Sequence, residues 1–197
     1  MIPIEHRTPR VEYLEKVLAG LGDNPSSLAG LKSDDLRLIG SFIQIYNYIE
    51  LNLRRSIEIF ARSNLLDDAV ARKHHRISSK LLVQTLKAAV VKLDPSIEDI
   101  DKNLKKLDEI EYRRSVRNLL AHWAAKRIPG EDAIVLMSKD GRDEKQISGE
   151  DQSRDDYVRT AIFDLADLRG LVQHIVDYEV WLATKTVEWH KRYVELK

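Results

Sequence analysis

The spacing of apolar positions divides the chain into helical stretches and one short β-like stretch. A brief amphipathic segment, VEYLEKVLAGL, ends at Gly22, and DNPSS after it reads as a turn. A long stripe follows. Ile39, Phe42, Tyr46, Ile49, Leu53, Ile57 and Phe60 recur every three or four residues. That period predicts a helix of about eight turns, ending near Ser63 or Asn64. Ser33 is its expected N-cap, with Asp34 and Asp35 in the first turn, where the helix dipole favours acids. LDDAVARKHHR is less regular. A second helix is expected from Ser78 or Ser79, with Leu82, Leu86, Ala89, Val90 and Leu93 inward, and Asp94-Pro95 closes it because the residue before proline is pushed out of the helical region. A third runs from about Ser96 to Lys126, with Ile97, Ile100, Leu104 and Leu107 inward and Pro129-Gly130 as its stop.

The period then changes to two. AIVLMS, KDGR and EKQIS read as a hairpin, and YVRTAIF as a third strand. The last helix starts at Asp164, with Asp167 completing a variant capping box, and its stripe is Leu168, Leu171, Ile175, Tyr178, Leu182, Trp189 and Tyr193. The expected class is mainly α: an antiparallel bundle of four to five helices, with a small β hairpin or meander over about residues 132–163 before the last helix. Residues 1–33 read as an N-terminal extension with a short helix, and residues 34–197 as the helical domain.

Composition narrows the chemistry. At 197 residues, 43% apolar and 32% charged, the chain has material for one core and is not a disordered sequence. No apolar run approaches the roughly 20 residues that span a bilayer, and MIPIEHRTPR lacks the apolar stretch of a signal peptide. The expectation is a cytoplasmic protein with no membrane partner. There is no Cys, which removes disulfides, thiolate nucleophiles and Cys-ligated metals. Basic and acidic residues balance at 32 each, which argues against a histone-like binder of long nucleic acid. The balance hides a segregation: residues 102–127 carry eight Lys/Arg against three Asp/Glu, and residues 128–170 carry six against eleven.

The basic stretch contains an anomaly. At 100° per residue, Glu111, Asn118 and His122 fall within roughly 40° of the apolar position Leu104, and Arg114 within about 80°. The apolar residues of that half, Val116, Leu119, Leu120 and Trp123, centre about 110° away. The helix therefore either shifts its buried face or turns a polar stripe toward a cleft.

This part of the helix reads Arg117-Asn118-Leu119-Leu120-Ala121-His122. An Arg-x4-His pair late in a bundle helix, with Asn directly after the Arg, resembles the HEPN domains (higher eukaryotes and prokaryotes nucleotide-binding). These are four-to-five-helix bundles, and many are metal-independent endoribonucleases, some of them toxins or anti-phage effectors. The resemblance covers about residues 34–193. It implies that Arg117 and His122 are the catalytic pair with Asn118 in support, that no metal or other cofactor is needed, and that a homodimer forms one composite cleft. The implied partners are an RNA substrate and, for a toxin, an antitoxin. The implied products are a 2′,3′-cyclic phosphate and a 5′-hydroxyl. Some family members carry a Tyr two residues after the His, where a partner nucleotidyltransferase modifies it. Here Ala124 stands there, so that route of regulation is not expected. The alternative is an inactive HEPN-like module that binds RNA, a nucleotide or another protein.

These residue types suit the reaction. His has an unperturbed pKa of ~6.5 and transfers protons near neutral pH. Arg is always charged and grips two phosphorane oxygens in a planar fork. One His serves both ends of an in-line displacement poorly, whereas two copies of the motif across a twofold axis serve both. The competing structural reading makes Arg117 a surface Arg and His122 a helix-end His, stabilised there by ~0.3 to 1 kcal/mol.

Other candidates are weaker. Some HEPN proteins place a Glu-x3-Lys/Arg pair where Glu50 and Arg54 stand, and an ordinary i, i+4 ion pair has the same spacing. Arg113 and Arg114 are candidates for flanking phosphates, with pairing to Glu109 as the local alternative for Arg113. Arg72-Lys73-His74-His75-Arg76 is the densest basic run, suited to phosphates or simply to solvent. Trp123, Trp181 and Trp189 suit packing better than base stacking, and His6, His174 and His190 read as structural or surface.

Overall fold

The computed structural model describes residues 8–22, 25–138 and 159–195. In chain order the helices and strands are α1 (Pro9–Gly20), α2 (Ser33–Arg62), α3 (Asp68–Ala71), α4 (Leu82–Val90), α5 (Ile100–His122), β1 (Ala124–Arg127), β2 (Ala133–Ser138), β3 (Arg159–Asp164) and α6 (Leu165–His190). Among the described residues the protein is mainly helical with a small three-stranded antiparallel sheet. No helix among the described residues is long and apolar enough to cross a membrane. The chain falls into two compact units, residues 1–41 with 115–172, and residues 42–114 with 173–197.

The first unit is built on the sheet, in the order β1-β2-β3. Its central strand, β2, is buried from Ala133 to Leu136, as a continuous apolar run with neighbours on both sides should be. β1 pairs with it from Ala124↔Met137 to Arg127↔Ile134, and β3 from Ala133↔Asp164 to Ser138↔Arg159. The expected second hairpin strand, EKQIS, lies outside the described residues. β1 corrects the expectation that α5 continues to Lys126. The helix ends at His122, and the following AAKR pairs with β2 although Ala favours helix, because pairing buries Arg127 and Ile128 at the sheet. Pro129-Gly130 does a different job from the one expected. Glu131 donates its N–H to the Ile128 carbonyl, and Gly130 has φ +78°, the geometry of a type II turn joining β1 to β2.

The N-terminal segment belongs to this unit. Leu14 of α1 is fully buried in a cluster with Ile128, Ala133, Val135 and Ile162. Ala29 exchanges two backbone hydrogen bonds with Arg127 and caps the open edge of β1. The Arg127 guanidinium, itself buried, donates to Asp35 at 2.6 Å and to Asp132 at 3.1 Å. Asp35 also accepts the Lys32 N–H at 2.7 Å, so the helix is capped one residue before the expected Ser33. Asp164 caps α6 as expected, accepting from the Ala166 N–H at 2.8 Å.

The second unit buries the rest of the α2 stripe. Phe42, Tyr46, Ile49, Leu53, Ile57 and Phe60 are all shut away from solvent, as are Leu82, Leu86, Ala89, Val90 and Leu93 around α4. Asn64, at φ +59°, ends α2 in the left-handed conformation, and Leu65 donates back to the Phe60 carbonyl, a Schellman closure. Ile97 departs from the pattern and is exposed, because α5 starts only at Ile100 and residues 94–99 form a turn held by Asp94 on Ser96. α2 and α6 run parallel. Asn52 meets Glu179, Ser56 meets Thr186, Phe60 stacks on Trp189 and Ser63 reaches Tyr193. An antiparallel arrangement therefore does not describe that pair. α5 runs opposite to α6, with Arg113 over Tyr178 and Lys106 over Trp181.

Candidate functional site

The second half of α5 has unusual exposure. Every residue from Arg113 to Leu119 is half-buried, Leu120 is buried, and Ala121 and His122 are exposed. Glu111, Arg114, Asn118 and His122 follow one another at steps of three, four and four, so they share one side of the helix. Arg117 lies beside that line and donates from Nη1 to Asn118 Oδ1 at 3.1 Å. The bond orients both side chains. His122, the last helical residue, makes no hydrogen bond or ion pair among the described residues. Both ring nitrogens are therefore open to a ligand. Arg117 and His122 stand five residues apart, about 140° around the axis, so one phosphate meets both only by lying across the helix end.

The neighbouring arginines are already engaged. Arg114 donates from Nε and Nη2 to the same Glu111 oxygen at 3.0 and 2.9 Å. The second Glu111 oxygen is buried without a hydrogen bond among the described residues. Arg113 is only 13% exposed. It pairs with Glu109 at 3.1 Å, the local alternative anticipated from spacing, and its guanidinium lies 5.6 Å from the Tyr178 ring centre. An arginine so packed is less ready to take a phosphate than one free in solvent.

Glu50 and Arg54 form their i, i+4 pair at 2.9 Å, and do more. Arg54 also donates to the Ile77 carbonyl at 3.0 Å, while Ser79 Oγ donates to Glu50 at 2.7 Å. The pair fastens residues 77–79 to α2. The basic run becomes a short irregular connection in which His74 Nδ1 meets the Ala71 carbonyl at 2.8 Å. Trp189 is core, packed on Phe60, and Trp181 lies under the Lys106 ammonium at 5.1 Å. Of the remaining histidines, His6 lies outside the described residues and His174 is exposed. No three His, Asp or Glu converge as metal ligands among the described residues.

Two charged clusters escape sequence reasoning because their members are far apart. Glu98, 1% exposed at its side chain, accepts from Arg192 at 2.6 Å, Lys185 at 3.1 Å and Asn103 at 3.2 Å. Burial opposes its charge, but Lys185, Asn103 and Arg192 outweigh burial and hold the carboxyl below its ordinary value. Asp164 behaves alike: burial opposes the charge, and Arg10 with the Ala166 N–H more than offsets it. His190, expected to be structural or at the surface, has a partner that spacing does not suggest. Its Nδ1 stands 3.2 Å from Glu195, a contact at i, i+5 that an α-helix does not make. It forms because α6 passes into a π-helical turn at Lys191–Glu195. Comparison with protein-family models, with curated proteins and with solved structures finds no match to this chain.

Proposed function

We propose that this protein is a HEPN-like endoribonuclease that cuts RNA without a metal ion. His122 transfers the proton, Arg117 stabilises the phosphorane, and Asn118 holds Arg117. The observation that carries this reading is the end of α5, where an unengaged imidazole follows an arginine already oriented by its neighbouring asparagine. The 2′-hydroxyl attacks the adjacent phosphorus and loses its proton to an imidazole, while the 5′-oxygen leaves with a proton from a second one. The two imidazoles come from the two copies of a homodimer whose α5 ends share one cleft, in a bundle of the HEPN kind. An RNA-cutting activity of this type fits a toxin held by an antitoxin, or an anti-phage effector, acting in the cytoplasm.

The test is incubation with end-labelled RNA in EDTA, beside a strand carrying 2′-deoxy substitutions throughout. The expected result is cutting of the RNA alone, leaving 2′,3′-cyclic phosphate and 5′-hydroxyl ends. Cutting of both strands, or of neither, rejects the mechanism. A second reading draws on a different observation: Arg113 and Arg114 are committed to Glu109, Tyr178 and Glu111. With fewer cations left for a phosphate backbone, that commitment favours the interaction form of a HEPN-like module, one that binds another protein and does not cut RNA. Neither cleavage nor saturable binding of RNA is its signature.

A further inference from the structure

The parallel course of α2 and α6 leaves a groove of about 320 Å³ beside their C-terminal turns. Ile59 and Val187 give it apolar surface, and the Thr186 hydroxyl adjoins them. Val187 is exposed although apolar, so the groove offers unburied hydrocarbon to a ligand.

The charges around it do not cancel. Two carboxylates line the groove, and each already has a partner: Glu58 the Arg62 guanidinium, and Glu195 the His190 imidazole. Two further cations, Arg55 and Lys191, also line it and make no hydrogen bond or ion pair among the described residues. Arg55, Arg62 and Lys191 against Glu58 and Glu195 leave a net of one positive charge, and the two cations without a carboxylate face a space large enough for a small organic molecule. The wall bearing Lys191 is fixed in place. Ser63 Oγ donates to the Tyr193 carbonyl at 3.1 Å, and Arg192 is tied to buried Glu98 at 2.6 Å. The π-helical turn is therefore held from both sides, so little ordering is left for a ligand to supply.

A carboxylate brings one negative charge, whereas a phosphomonoester brings about −1.5 to −2 at neutral pH and accepts the guanidinium fork. We propose that this groove binds a small phosphomonoester with a compact apolar body, Arg55 and Lys191 holding the phosphate and Ile59 and Val187 covering the body. The inference is independent of the ribonuclease reading, since none of these residues belongs to the α5 motif.

Isothermal titration of the full chain with phenyl phosphate tests it, with benzoate, benzyl alcohol and inorganic phosphate as comparisons. Phenyl phosphate is expected to bind tightest, with loss of either the second charge or the ring costing about tenfold. Arg55→Gln with Lys191→Gln should weaken phenyl phosphate by about tenfold or more, and Val187→Trp should block the groove sterically. All three positions are at the surface, and an unchanged melting temperature checks that each variant is folded. The proposal is overturned if phenyl phosphate gives no saturable binding up to about 10 mM, or binds no better than benzyl alcohol. It is equally overturned if both folded variants bind within about twofold of the original chain.

Discussion

The end of α5 and the groove beside α6 use cations in opposite ways. On α5 the basic residues are mostly satisfied close by: Arg113 by Glu109, Arg114 by Glu111, and Arg117 in part by Asn118. What stands open there is an imidazole, His122. In the groove the imidazole is the engaged group, held by Glu195, and Arg55 and Lys191 stand open. An open imidazole beside an oriented guanidinium suits proton transfer at a phosphodiester. Two open cations above hydrocarbon suit holding an anion without transforming it. The number of cations is therefore a poor guide to chemistry. Which of them already have partners is a better one.

The largest effect expected concerns the α5 end. His122→Ala should abolish RNA cleavage while leaving the melting temperature within the error of the original, because an exposed side chain carries little packing. Arg117→Lys should lower turnover by about 100-fold or more, since an ammonium does not reproduce the planar fork. Near-normal single-turnover rates for the lysine variant would remove Arg117 from the mechanism and bring the two regions closer in kind.

Next in size are the contacts that hold each unit together. Leu14→Ala should cost about 2 to 4 kcal/mol in chemical denaturation, because it empties a fully buried site against Ile128 and Val135. A cost near zero would mean that α1 does not contribute to that core. Glu98→Gln should cost about 2 to 3 kcal/mol, because it leaves Lys185 and Arg192 without their shared anion. It should also change the acid response. Glu98, Asp132 and Asp164 all have carboxyl groups held below their ordinary values, Asp132 chiefly by Arg169. A depressed carboxyl contributes stability that is complete above its unfolded value and lost as pH falls through the folded one. Stability should therefore hold from pH 7 to about 5 and decline below about 4, less steeply in the glutamine variant. The smallest effect is expected for Arg54→Ala. Its half-exposed pair with Glu50 should contribute about 0.5 to 1 kcal/mol, most of it from fastening residues 77–79.

Helical periodicity made the α2 stripe and the α4 face readable, because both bury one side at 3.6 residues per turn. The same rule failed after His122. Ala124 and Ala125 favour helix locally, and only the pairing partner Ala133–Ser138, several residues on, makes them a strand. Integration of residues 8–32 was hidden for a related reason: Leu14 and Ile128 are far apart in sequence, and so are Asp35 and Arg127. At the candidate site, what was legible was local. The polar line through Glu111, Asn118 and His122 follows from helix geometry, and the Arg113–Glu109 pair from i, i+4 spacing. The His190–Glu195 contact was not legible, because it depends on a change of helical pitch that no residue of KRYVE announces.

The central claim is that His122 moves a proton during RNA cleavage, and the most direct measurement is cleavage by purified His122→Ala beside the original chain in EDTA. The account predicts 2′,3′-cyclic phosphate ends from the original chain and uncut RNA from a variant that melts normally. Equal cleavage by both proteins would contradict it.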